Sequence, residues 1–202
     1  MTPAKRIFDI GFALLLMVIL AVPFLILLVV LLACEGRPLF YISERMKTPT
    51  QGFALIKLRT MANVTSDGGV TGGDKTVRIR PVHHLLRRAR LDEIPQLWNV
   101  LRGDMSFVGP RPPLRLYTRA YPALYAQVLQ SRPGITGLAS LRIAAFEEVV
   151  LSRCETAHQT DAVYRRRCVP RKAKLDLIYQ RHQSFCFDLA LIWETALRLI
   201  RR

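Results

Sequence analysis

The chain has 202 residues, enough for one well-packed domain with an appendage, and two full domains are not expected. Its 30 Lys and Arg residues against 15 Asp and Glu give a net charge of +15, which favours polyanionic partners: nucleic acid, phosphorylated small molecules or anionic lipid headgroups. Half of the residues are hydrophobic, which is unusual for a soluble nucleic-acid-binding protein of this charge. The four cysteines form no CxxC pair, so reduced thiols are expected rather than a zinc site.

The N-terminal segment is apolar from Ile10 to Ala33 and carries no charge there. A run of about 20 apolar residues is long enough to cross the hydrocarbon core of a bilayer. Pro23 lies near its middle and predicts a break in the helix. Basic residues flank the segment on both sides, so the positive-inside rule places both ends in the cytoplasm. A re-entrant helix satisfies both ends, and a kinked but fully spanning helix is the alternative.

The central part of the chain alternates short extended and helical patterns. Residues 39–47 and 52–58 are predicted as strands, and the glycine-rich residues 62–76 as a loop, either a linker or a lid over a site. Residues 82–90 predict a basic helix in which His83 and His84 are packed or solvated, not metal ligands. The next helix is predicted to start at Asp92 and to end at Gly103.

The C-terminal part is predicted to be mostly helical. A helix over 113–130 is interrupted at Pro122, residues 132–137 form a turn, and helical patterns cover 140–162 and 172–183. The last segment, from Ser184, is amphipathic and ends in basic residues. It predicts a helix that either lies on a bilayer surface or packs on the core.

The adjacent carboxylates Asp92 and Glu93 are the most informative chemical feature of the sequence. Acidic residues at a helix N-terminus often serve only as caps. Here, however, Arg87 and Arg88 lie just upstream, and two prolines flank Arg111. The residues therefore predict either ordinary ion pairs or a nucleophile or metal ligand facing a phosphate that the arginines hold.

These residues belong to a longer pattern. The run LLRRARLDEIPQLWNVLRGDMSFVGPRPPLRLY resembles the signature of the bacterial monotopic phosphoglycosyl transferases, which are undecaprenyl-phosphate sugar-phosphate transferases. KRIFDIGFALLL with Pro23, FALIKLRTM, RPGITGLASL and the closing helix resemble other elements of that family, so the likeness covers nearly the whole chain. The chain departs from the family at Val22, where a serine is common before the proline.

The resemblance implies an α+β, mostly helical fold. Residues 1–36 would form a re-entrant membrane helix broken at Pro23. Residues 37–202 would form a cytoplasmic catalytic domain with a C-terminal interfacial amphipathic helix, on the cytoplasmic face of the bacterial inner membrane. The implied reaction moves a sugar 1-phosphate from a UDP-sugar to undecaprenyl phosphate and releases UMP. It would proceed by a ping-pong mechanism through a covalent phosphosugar-aspartyl intermediate, at the start of glycoconjugate assembly.

The resemblance also implies roles for particular residues. Asp92 matches the nucleophile and Glu93 its partner, and the two would hold Mg²⁺. The implied substrate-binding residues are Arg111, Arg87, Arg88, Lys57 and Arg59. Inner-membrane lipids are expected partners, nucleic acid is not, and a homo-oligomer is left open.

A second hypothesis is a membrane-anchored nucleic-acid-binding or scaffold protein, which would use the charge of +15 against a phosphate backbone. That hypothesis leaves the Asp-Glu pair and the Pro-Arg-Pro turn unexplained. Few aromatic residues are interleaved with the basic ones for base stacking.

Overall fold

The computed structural model describes residues 2–61 and 81–201. Their helices are α1 (Pro3–Glu35), α2 (Pro81–Arg88), α3 (Gln96–Arg102), α4 (Arg115–Ala120), α5 (Pro122–Val128), α6 (Leu138–Leu151), α7 (Ala157–Val163), α8 (Val169–Arg181) and α9 (Phe185–Ile200). The strands are β1 (Phe40–Met46), β2 (Gly52–Leu58), β3 (Ser106–Val108) and β4 (Gly134–Thr136). A 3₁₀ turn (Leu91–Glu93) precedes α3, and a π-helical turn (Tyr164–Cys168) joins α7 to α8. The chain is mostly helical, as predicted; the predicted loop over 62–76 lies outside the described residues.

Helix α1 is apolar and long enough to cross a membrane, and it is 33 residues long. Thr2 caps its first turn by accepting a hydrogen bond from the amide of Lys5. The helix continues through Pro23 and ends at Gly36, whose positive φ of 70° suits glycine. The predicted break at Pro23 is therefore not an interruption of helical structure. The re-entrant path of the helix stays a prediction.

Both ends of α1 are attached to the rest of the protein. Near the start, Lys5 Nζ lies 2.5 Å from Asp188 Oδ2 on α9. At the end, Glu35 Oε1 lies 2.6 Å from Nε2 of the buried His83 on α2. Between these ends, one face of α1 packs on the domain while the other exposes large apolar side chains, among them Val18, Val22 and Val29. This arrangement is typical of a helix that meets protein on one side and an apolar medium on the other.

The two predicted strands after α1 form an antiparallel hairpin in which Phe40 is opposite Leu58 and Met46 is opposite Gly52. Asn99 on α3 joins the hairpin to that helix, since its side chain donates to the carbonyl of Ala54 and accepts from the amide of Ile56. The main hydrophobic core lies between α1, the hairpin, α3 and α9, and includes Ala13 and Val100, both fully buried.

The prediction of a simple turn over 132–137 is wrong, because Gly134–Thr136 forms strand β4, parallel to β3. A side chain at Gly109 would lie 2.1 Å from the carbonyl oxygen of Arg132, and one at Gly134 would lie 2.2 Å from the amide of Gly109. Only glycine permits this approach of the two backbones. The helix interruption at Pro122 is confirmed, as α4 ends at Ala120 and α5 begins at Pro122.

The C-terminal segment was predicted either to lie on a bilayer surface or to pack on the core, and helix α9 has features of both. Its inner face packs on the core through Leu191, which is 2% exposed. Its outer face presents Phe185, Leu189 and Trp193, spaced four residues apart and all exposed. The inner face therefore packs on the core, and the outer face has the apolar character that an interfacial helix requires.

Candidate functional site

The site is built on the short segment between α2 and α3. Arg90 adopts a left-handed conformation (φ 54°) that redirects the chain after α2, and the 3₁₀ turn Leu91–Glu93 follows. Pro95 then precedes the first turn of α3, where its missing amide donor costs nothing. The predicted start of the helix at Asp92 is wrong, because Asp92 and Glu93 lie in the 3₁₀ turn and α3 starts at Gln96. Both carboxylates are buried, each with 8% of the residue exposed.

Glu93 is held by three cations. Its Oε1 lies 2.9 Å from Lys57 Nζ and 3.2 Å from Arg111 Nη2, and its Oε2 lies 3.3 Å from Arg90 Nη1. Burial alone would raise the pKa of Glu93, but the three positive charges together outweigh burial and hold that pKa well below its usual range. Glu93 is therefore an ionised carboxylate that fixes the positions of two arginines and a lysine.

Asp92 has a different environment although it is the next residue. Within residues 2–61 and 81–201, no group donates a hydrogen bond to its carboxylate. Burial raises the pKa of Asp92 above its ordinary value, and the charges of Lys57, Arg87 and Arg111 only partly offset burial. A buried carboxylate that lies among cations without being bonded to them is available to react with or bind another group.

The Pro-Arg-Pro turn that carries Arg111 is fixed at both ends by backbone hydrogen bonds. Before it, Gly134 donates to the carbonyl of Pro110 at 2.9 Å, next to the close contact of Gly109 with β4. After it, Met46 at the end of β1 donates to the carbonyl of Pro113 at 2.9 Å. The turn therefore holds the Arg111 guanidinium against Glu93, as the sequence predicts for a rigid turn.

The other predicted substrate-binding residues differ in their relation to the carboxylates. Lys57 contacts Glu93 directly. The positive charge of Arg87 lowers the pKa of Asp92 and so partly offsets the effect of burial. Arg87 also has a buried guanidinium nitrogen, Nη1, that has no hydrogen-bond partner in the described part of the chain. Among the described residues, no hydrogen bond or ion pair joins the side chain of Arg59 or the exposed Arg88 to either carboxylate.

Two residues of the site were not among the predicted binding residues. Arg90 contacts Glu93. In the sequence, only its position next to Asp92 and Glu93 indicates this contact. Arg45, on β1, donates to the carbonyl of Pro112 at 3.4 Å, while its buried Nε has no partner. Burial, and then the nearby charge of Arg111, lower the pKa of Arg45. The sequence gives no signal that separates Arg45 from its charged neighbour Glu44 on the same strand.

A further polar group borders Arg111 from the C-terminal helices. Lys172 Nζ lies 2.8 Å from Glu147 Oε2 and donates to the hydroxyl of Tyr164 at 3.3 Å. The pKa of Arg111 is raised mainly by Glu93, is lowered by burial, and is raised further by the charge of Glu147. Tyr164 starts the π-helical turn, a feature that is frequent at functional sites. Glu147 therefore acts on the site from residues 138–170, for which no role was predicted.

The carboxylates can contribute to a metal site but cannot complete one. The described ranges contain no group of three or more His, Cys, Asp and Glu residues that could hold a metal ion. Mg²⁺ is commonly held by one or two protein carboxylates together with substrate phosphates and water. Asp92, with no hydrogen-bond donor in the described ranges, and Oε2 of Glu93, with one contact at 3.3 Å, fit this mode of binding. The acid of the Gly-Asp motif, Asp104, is instead near Lys47 and Arg102.

Comparison with known proteins identifies the family to which the chain belongs. The model of the family described as "Bacterial sugar transferase" matches residues 1–202. A Bacillus subtilis protein named as the uncharacterized sugar transferase EpsL is 37% identical over 68% of this chain and 67% of its own length.

Two further relatives have names that specify a reaction. A Caulobacter vibrioides UDP-glucose:undecaprenyl-phosphate glucose-1-phosphate transferase is 40% identical over 68% of this chain and 53% of its own length. An Aeromonas hydrophila UDP-N-acetylgalactosamine-undecaprenyl-phosphate N-acetylgalactosaminephosphotransferase is 32% identical over 86% of this chain and 38% of its own length. The matches therefore span between about one third and two thirds of the length of these relatives.

Proposed function

Because the chain belongs to the bacterial sugar transferase family, we propose that it transfers a sugar 1-phosphate from a UDP-sugar to undecaprenyl phosphate and releases UMP. Relatives are named for undecaprenyl-phosphate transfer from UDP-glucose and UDP-N-acetylgalactosamine. This reaction would begin the assembly of a polysaccharide or another glycoconjugate. Neither the family nor the names of the relatives support a nucleic-acid-binding or scaffold role.

The observation that carries the proposal is the contrast between the two carboxylates. Asp92 is a buried acid with no donor on its carboxylate in the described ranges, beside cations that Glu93 fixes in place. In the first step an Asp92 oxygen attacks the sugar-proximal phosphorus. The bond from that phosphorus to the bridging oxygen breaks, and UMP leaves with the electron pair. In the second step a phosphate oxygen of undecaprenyl phosphate attacks the same phosphorus and releases Asp92 as a carboxylate.

The cations around Asp92 and Glu93 would stabilise the negative charge of the phosphates. Arg111 and Arg87 have groups suited to phosphate oxygens, and the unpaired Nη1 of Arg87 would gain a partner there. Lys57 adds a point charge beside them. Asp92 and Glu93 would hold Mg²⁺ together with the diphosphate, and the metal would neutralise diphosphate charge when bound. Glu93 acts mainly by orienting Lys57 and Arg111, so it is a positioning residue as well as a metal ligand.

We further propose that α1 is re-entrant and that the domain lies on the cytoplasmic face of the inner membrane. Lys5 and Glu35, near opposite ends of α1, both pair with the same folded domain. A straight helix of 33 residues is about 50 Å long and would separate its ends by more than the thickness of the hydrocarbon core. Attachment of both ends to one domain supports a path that returns to its starting side, with a bend at Pro23.

The test is UMP release by the purified full chain in detergent, with Mg²⁺, undecaprenyl phosphate and a panel of UDP-sugars. At least one UDP-sugar should give UMP, and Asp92→Asn should not. Glu194→Gln makes the same change of a carboxylate to an amide on the surface of α9 and should retain the activity. UMP release that persists in Asp92→Asn would refute the assignment of the nucleophile, and no UMP from any UDP-sugar would refute the donor class.

A further inference from the structure

A cavity of about 540 Å³ lies between the middle of α1 and the domain. Its walls come from α1, from the β1–β2 hairpin and from the segment that enters α3. The lining residues are Met17, Leu20, Ala21, Phe24, Phe40, Ile42, Ile56, Ile94, Pro95, Leu97 and Trp98, all of them apolar. We call this cavity the α1 groove. Its volume is within the range of cavities that bind small molecules.

The α1 groove adjoins the ionic site. Ile94 and Pro95 follow Asp92 and Glu93 directly in the chain, and Ile56 precedes Lys57. The segment from Asp92 to Trp98 therefore passes from a pair of buried carboxylates to the apolar wall of the groove within seven residues. An amphiphile with an anionic head and an apolar chain matches this arrangement of charge.

The side chains of the groove are left open although they are large and apolar. Trp98 is 52% exposed, Phe40 42% and Ile42 63%. Contiguous exposed apolar surface of this kind marks a site for a ligand, a partner or a membrane. The opposite wall is α1, the helix proposed to lie in the bilayer, so a lipid chain could enter the groove without crossing water.

We propose that the α1 groove binds the first isoprene units of the lipid acceptor and so places the acceptor phosphate at Asp92. This proposal rests on the proposed function, because the reaction requires the acceptor phosphate to reach the same phosphorus that Asp92 has attacked. The cations Lys57, Arg111 and Arg87 receive the phosphate head, and the groove receives the chain behind it. A phospholipid acyl chain also fits an apolar groove, but its headgroup would not be a substrate beside Asp92.

Filling the groove gives the sharpest test. Ala21 lines it, whereas the neighbouring Val22 lies outside the lining and is 67% exposed. Ala21→Phe should raise the KM for undecaprenyl phosphate by about tenfold or more, since the chain loses apolar contact area. The burst of UMP from UDP-sugar in the absence of acceptor should stay unchanged. Val22→Phe, the matched control, should change neither quantity.

An unchanged KM for undecaprenyl phosphate in Ala21→Phe would overturn the proposal while leaving the proposed function intact. If the wild-type chain gave no UMP burst with any UDP-sugar, the proposed function would be refuted instead. In that case binding can still be measured, because the chain has two tryptophans, and Trp193→Phe leaves Trp98 in the groove as the single fluorophore.

In this Trp193→Phe variant, undecaprenyl phosphate in detergent micelles should shift the Trp98 emission to shorter wavelength. Adding Ala21→Phe should abolish the shift, and adding Val22→Phe should preserve it. The same shift with phosphatidylglycerol at equal mole fraction would show that the groove takes bulk lipid, and would overturn the assignment to the isoprenoid chain.

Discussion

The segment from Asp92 to Trp98 separates two regions with opposite properties. On one side, two buried carboxylates lie among three cations bonded to Glu93, and on the other an apolar groove of about 540 Å³ lies against α1. Within the ionic region the contrast continues, because Glu93 is bonded to those cations and Asp92 is not. The proposed transfer of a sugar phosphate from a water-soluble nucleotide sugar to a membrane lipid would use both regions, and one short segment connects them.

The largest effect is expected from removing the charge of Asp92, the acid with no bonded cation among residues 2–61 and 81–201. Asp92→Asn should lower the rate of UMP release by about 10³-fold or more, because an amide cannot act as the nucleophile. Burial disfavours the ionised form of Asp92, so the same variant should unfold at the same denaturant concentration as the wild type or a higher one. A marked loss of stability in Asp92→Asn would indicate that Asp92 is a structural acid.

The corresponding change at Glu93 should act in the opposite direction on stability. Glu93→Gln leaves Lys57, Arg111 and Arg90 without their shared carboxylate. We expect the free energy of unfolding to fall by about 2 kcal/mol, less than for a fully buried pair because the Arg111 side chain is 41% exposed. Denaturant titration of both variants in the same detergent provides the measurement. Equal stability of Glu93→Gln and wild type would contradict the positioning role.

The ionisation of Asp92 and that of Glu93 should also depend differently on pH. The folded pKa of Asp92 lies above its ordinary value of 3.8, so the ionised acid costs stability, and that cost grows as the pH rises from 3.8 to the folded pKa and is complete above it. The nucleophile must be ionised, so UMP release should fall about tenfold per pH unit below this raised pKa. Glu93, whose pKa is lowered, stays ionised over the same range and contributes its stability above pH 4.5.

The pH dependence is best measured as the UMP burst in a single turnover. An acidic limb centred at or below pH 3.8 would show that burial does not affect the reacting acid. Wild type and Glu194→Gln should give the same profile, since Glu194 lies on the surface of α9.

The smallest effect concerns the adjacent arginines of α2. Arg87 interacts with the charge of Asp92, whereas the exposed Arg88 has no contact with either acid in the described ranges. Arg87→Ala should lower kcat/KM by about fivefold, equivalent to about 1 kcal/mol, and Arg88→Ala should leave it within about twofold. Equal losses in the two variants would mean that the helix contributes only general positive charge.

Much of the fold follows from local sequence patterns. The two strands of the hairpin, the stop of α3 at Gly103 and the interruption at Pro122 were all predicted, because glycine, proline and short apolar and aromatic runs act locally. Strands β3 and β4 were missed, since three residues each give no period and their pairing depends on the backbone contact of Gly109 with Gly134. The path of α1 through Pro23 was not given by the residue pattern either.

The sequence predicted the two acids of the site and some of its cations, but not the contacts that these residues make. Asp92, Glu93, Lys57 and Arg111 were identified from motifs, and the two contacts among them, Lys57 with Glu93 and Arg111 with Glu93, join segments far apart in the chain. The unpaired Nε of Arg45 and the approach of Tyr164 to Arg111 depend on packing between β1 and the C-terminal helices. No local pattern encodes such contacts.

The central claim is that Asp92 becomes covalently bound to the phosphosugar. The most direct measurement is the intact mass of the full chain after incubation with the active UDP-sugar and Mg²⁺ but without acceptor. We expect a mass increase equal to one sugar phosphate, located by peptide mapping at Asp92, absent in Asp92→Asn and removed by undecaprenyl phosphate. UMP that forms only when undecaprenyl phosphate is present, with no adduct at any time, would contradict this claim.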